Sequence, residues 1–60
     1  MRIHGYKNGA CASMEKLFPS GMYLVQVRTP SGELHDKIRL DDYRQAMSYF
    51  KAFKAIAKGF

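Results

Sequence analysis

The sequence predicts an α+β fold in which a three-stranded antiparallel meander packs on one C-terminal helix, a two-layer arrangement. Three observations carry that expectation. β-forming residues gather in the middle of the chain, as in Tyr23, Leu24, Val25 and Val27. Two Pro-Ser-Gly turns, at Pro19 and Pro30, bracket them eleven residues apart, a common interval for short strands in a meander. Towards the end, Tyr43, Ala46, Phe50, Phe53, Ala57 and Phe60 recur at spacings of three and four, the period of one helical face.

Size limits what such a fold can hold. A 60-residue domain buries only about 60% of the surface its unfolded chain exposes, which leaves no room for a deep substrate cavity. Large enzymes, multidomain receptors and channels are excluded. With 47% hydrophobic and 25% charged residues, the composition is that of a folded protein. Residues 10–60 are expected to form one small domain, preceded by residues 1–9 as a flexible arm or a short edge strand, since that stretch holds Gly5, Lys7, Asn8 and Gly9.

The first strand is placed at about 12–18, with Met14 and Phe18 inward and Ser13, Glu15 and Leu17 outward. A short helix is the rival reading, because Ala10, Cys11, Met14, Leu17 and Phe18 also fit a helical period. Strands at about 22–29 and 33–40 form a hairpin. If Tyr23, Val25 and Val27 point inward, Ile38 and Leu40 must share their face, which pairs Val25 with Ile38 and Tyr23 with Leu40. Ser31 and Gly32 then form the tip, and Arg28 lies beside His35, Gln26 beside Lys37 and Leu24 beside Arg39 on the outer face. The helix is expected at about 41–58, capped by Asp41 or Asp42 and stopped at Gly59. Phe18, Phe50, Phe53 and Phe60 are expected in the core, large side chains filling a thin layer.

The formal charge of +5 is unevenly spread. Residues 1–42 carry six Lys or Arg against five acids, whereas residues 43–60 carry Arg44, Lys51, Lys54 and Lys58 with no acid. At about 100° per residue these four fall in one arc beside the apolar stripe, suited to phosphates or to an acidic partner. A second basic set, Arg28, His35, Lys37 and Arg39 with Gln26, lies on the outer sheet face. Arginine forks and Gln suit base edges, and a β-ribbon fits the major groove. Leu17, Met22 and Leu24 on the same face have no obvious intramolecular cover and are candidates for a partner or homodimer surface.

The segment from Tyr23 to Phe53, YLVQVRTPSGELHDKIRLDDYRQAMSYFKAF, resembles the arm-type, AP2-like DNA-binding domain of phage and transposon tyrosine integrases. The likeness covers about residues 12–58. The matching parts are the strand Val25 to Arg28, the turn Pro30 to Gly32, the basic strand His35 to Arg39 and the helix from Asp41. It implies a stand-alone DNA-binding module of phage or mobile-element type.

Catalysis, metals and cofactors have no support in the sequence: His4 and His35 are far apart, the serines sit in no nucleophile motif, and no Cys/His cluster has ligand spacing. The single Cys11 suits a reducing compartment, and with no apolar run of membrane-spanning length a cytoplasmic, non-membrane location is expected. The leading expectation is therefore a non-enzymatic protein that contacts DNA through the outer sheet face. The alternative is an inhibitor or regulator that binds an acidic host protein through the apolar patch and the basic helix.

Overall fold

A computed structural model describes all 60 residues. Four strands, β1 (Arg2–Gly5), β2 (Cys11–Lys16), β3 (Tyr23–Arg28) and β4 (Leu34–Leu40), form one antiparallel sheet in that order, and helix α1 (Tyr43–Lys58) covers one of its faces. The α+β class is as expected, with four strands in place of three. Of the two readings of residues 1–9, the edge strand is the one formed. Arg2 pairs with Met14, Ile3 with Ser13 and His4 with Ala12.

The three-residue turn Lys7 to Gly9 makes that strand. Gly9 takes a φ of 93°, its N–H donates to the Tyr6 carbonyl at 2.9 Å, and the Tyr6 N–H donates to the Ala10 carbonyl at 2.9 Å. Asn8 then joins the turn to the helix. Its Oδ1 accepts from the Ala10 N–H at 2.7 Å, and its Nδ2 donates to the Ala57 carbonyl at 3.0 Å.

Residues 11–16 are strand, so the rival helix is not formed there. Phe18, expected inward, is 82% exposed. The ladder continues only to Leu17, whose N–H donates to the Met22 carbonyl at 2.7 Å, and Phe18 falls in the turn that follows. Gly21 closes that turn, at φ 76°, by donating its N–H to the Leu17 carbonyl.

Alternation along β2 and β3 sends Ala12, Met14, Val25 and Val27 to one face. There they meet Ala46, Phe50, Phe53 and Ala57 of α1, and with Ala10 these are the buried residues. Phe60, expected in the core, lies past the helix and is 44% exposed. Small residues on the helix let it approach the central strands closely, while Phe50 and Phe53 fill the layer. Of the two aspartates, Asp42 is the cap: it is extended, and its Oδ1 accepts from the Arg44 N–H at 3.1 Å. Gly59 ends the helix, its N–H shared between the Ala55 and Ile56 carbonyls. The helix packs chiefly on β2 and β3. It is not long and apolar enough to cross a membrane.

Candidate functional site

The face of the sheet away from α1 carries no second layer. Its side chains are ordered by the ladders into three rows. One row runs Glu15, Leu24, Arg39; the next Ile3, Ser13, Gln26, Lys37; the third Cys11, Arg28, Leu34. The cations all stand on the β3–β4 side, and Arg28, Lys37 and Arg39 are all exposed. Gln26 lies among them, directly opposite Lys37. Glu15 is the one acid in these rows and sits on β2, with Leu24 between it and Arg39.

His35 does not belong to this face. The ladder pairs Val27 with Asp36 but Arg28 with Leu34, so the expected pairing of Arg28 with His35 is replaced and His35 is an extra residue in β4. The turn is the cause. The expected register has a two-residue tip, Ser31 and Gly32. The turn formed uses three residues, Pro30 to Gly32, with Gly32 at φ 92° and the Thr29 N–H donating to the Glu33 carbonyl at 2.9 Å. One residue must be absorbed, and His35 is displaced to the helix side, edge-on to Phe60 with ring centroids 5.0 Å apart. Arg28 is held near the turn, its guanidinium donating to the Gly32 carbonyl at 3.0 Å.

Leu17, Met22 and Leu24 gather at one corner of the outer face, and all three are half-buried. β1 extends the sheet sideways and does not fold over them. More exposed large apolar side chains lie elsewhere, among them Phe18 in its turn, Ile3 on β1 at 65% and Leu34 on β4 at 42%.

The helix cations form the second basic group. Contacts locate their flank: Arg2 on the helix-facing side of β1 donates to the Tyr43 hydroxyl at 3.2 Å and to the Met47 sulfur at 3.7 Å. At about 100° per residue, Arg44, Lys51, Lys54 and Lys58 lie on the same side of the helix as Met47, overhanging β1. The opposite flank, towards β4, presents Tyr49, Ile56 and Phe60, each about 40% exposed. A shallow cleft of about 320 Å³ lies along the cationic flank, lined by Met47, Ser48, Phe50, Lys51 and Lys54, with the Lys54 ammonium 4.9 Å from the Phe50 ring centroid. Sequence reasoning placed Arg2 in a flexible arm or a short edge strand, with no contact to the helix, and so missed its approach to this group.

β4 is a free sheet edge, yet it is poorly suited to pairing with a second copy of itself. A two-fold antiparallel pairing that preserves sidedness must centre on one residue. Centred on Lys37 it sets Lys37 against itself, on Ile38 it sets Lys37 against Arg39, and on Asp36 it sets Asp36 against itself. Like charges directly opposite destabilise a ladder. Asp36 adds to the protection by accepting the Lys37 N–H at 2.8 Å, an amide that strand alternation leaves on the free edge.

Comparisons with protein-family models, curated proteins and solved structures return no match for this chain.

Proposed function

We propose that this protein is a small, non-enzymatic DNA-binding domain that inserts the β3–β4 ribbon into the major groove. The observation that carries this reading is the common placement of Gln26, Arg28, Lys37 and Arg39 on one uncovered face. Four strands at about 4.8 Å spacing make a sheet roughly 14 Å wide, more than the roughly 12 Å groove. The cationic edge therefore enters, and β1 stays outside near the backbone. Arg28 and Arg39 suit guanine O6 and N7, Gln26 suits adenine, and Lys37 serves a phosphate. The likeness of the Tyr23 to Phe53 segment to integrase arm-type domains supports the same mode.

The test is a titration of labelled duplex at several salt concentrations. Three sheet cations at phosphates or bases predict a log-log slope near about −3, and no binding at low salt would end the reading. Capture of a stoichiometric protein after nuclease treatment, indifferent to Arg28→Ala and Arg39→Ala, would favour an inhibitor acting through Leu17, Met22 and Leu24.

A further inference from the structure

We infer that the helix flank, with Arg2, is a second and separate duplex-binding surface, so that one molecule bridges two DNA segments. The inference rests on the DNA reading above. Its starting point is Arg2, which the β1–β2 ladder brings to Tyr43 and Met47 and so adds to Arg44, Lys51, Lys54 and Lys58. No residue from Tyr43 onward is acidic, and Asp41 and Asp42 precede the helix. The result is a five-cation strip with no carboxylate among its members.

The length of the strip suits a backbone. Arg44 and Lys58 are fourteen positions apart, about 21 Å at about 1.5 Å per residue, which corresponds to roughly six base pairs at about 3.4 Å each. Lysines on flexible stems track phosphates as point charges and need no fixed register. A compact anion would engage only two or three of these cations, whereas a duplex engages them all.

Geometry separates the strip from the first surface. The flank lies roughly 115° round the helix from the core-facing residues Ala46, Phe50, Phe53 and Ala57, at about 100° per residue, and overhangs β1. The sheet cations stand on β3 and β4 and point away from the helix. The two groups occupy diagonally opposite corners of a two-layer domain whose extents are 33 × 18 × 16 Å. A straight duplex seated on one corner cannot reach the other.

The experiment immobilises one duplex on beads, adds the protein, and measures capture of a second, fluorescent duplex of the same sequence at low salt. Wild type is expected to be retained and to capture the second duplex. Lys51→Gln with Lys58→Gln is expected to remain retained on the immobilised duplex through the sheet face and to lose at least about fivefold of the captured signal per retained protein. Both substitutions are at exposed positions, and circular dichroism checks that the fold is kept. Retention of wild type without capture would overturn bridging and leave the sheet reading intact; absence of retention would remove both. Capture undiminished in the double variant would overturn the flank assignment. So would light scattering that finds a dimer in free solution, with capture tracking the dimer rather than the lysines.

Discussion

The imidazole of His35 lies edge-on to the ring of Phe60, with centroids 5.0 Å apart and planes at 86°. This contact fixes the side of the sheet on which His35 is found, and it is the helix side. On the proposed DNA surface His35 is therefore a bystander. His35→Ala is expected to change duplex affinity less than about twofold. Arg28→Ala and Arg39→Ala should each weaken it roughly tenfold, about 1.4 kcal/mol. Fluorescence anisotropy on one labelled duplex at fixed low salt measures all three, and a His35→Ala loss as large as that of Arg39→Ala would remove the sheet face as the site.

The two aspartates before the helix differ in role. Asp42 accepts the Arg44 N–H at 3.1 Å, whereas Asp41 precedes the cap and is exposed. Asp42→Ala should cost about 1 kcal/mol and lower Tm by about 4–8 °C in a domain of this size. Asp41→Ala should move Tm by less than about 2 °C. Thermal melts followed by circular dichroism separate the two.

Gly9 and Gly32 close turns of the same three-residue design, both at positive φ, but their surroundings differ. A Cβ at Gly9 would stand 3.0 Å from the Pro30 carbonyl oxygen, while one at Gly32 meets nothing within 4 Å. Both alanine variants carry the strain of left-handed backbone, about 1–2 kcal/mol. Gly9→Ala should be the more destabilising by about 1 kcal/mol or more, because the clash is with backbone that cannot rotate away. Urea denaturation of the pair gives the difference directly, and equal midpoints would contradict the approach of the two turns.

Phe50 and Phe53 are each 5% exposed and supply most of the bulk in a core that otherwise holds alanines, valines and one methionine. Truncating a buried Phe to Ala costs about 3–5 kcal/mol. At roughly 0.05–0.15 kcal/mol per residue, a domain of this length has about 3–9 kcal/mol in total. Phe50→Ala should therefore be largely unfolded at room temperature or nearly so, whereas Phe60→Ala, at a half-open site, should retain a cooperative melt. Circular dichroism at matched concentration distinguishes them.

How much of this was legible in the sequence follows from where local chemistry decides the structure. The helix and the Val25–Ile38 and Tyr23–Leu40 pairs were readable because apolar periodicity dictates which residues must share a face. His35 was misplaced because register near a hairpin depends on loop length, and Pro30-Ser31-Gly32 admits either a two- or a three-residue loop. The β1 strand was legible in principle. Asn8-Gly9 is a strong hairpin signal, yet Arg2 to Gly5 is exposed throughout and has no alternation to announce it. Phe18 was drawn inward by extending alternation beyond the last ladder pair. The approach of Arg2 to Tyr43, 41 residues away, has no local signature at all.

The guarded edge of β4 has a consequence for how the protein behaves in concentrated salt. Lys37 and Arg39 disfavour pairing of two copies through charge repulsion, and repulsion between exposed charges is short-ranged where the screening length falls to about 3 Å, as in 1 M salt. Lateral growth of the sheet, opposed in dilute buffer, then faces only the Asp36 carboxylate on the Lys37 amide. Salt that weakens the proposed DNA contact would thus also weaken the guard on this edge. Storage at high ionic strength, the usual remedy for a sticky basic protein, would therefore remove part of the guard on this edge rather than add to it.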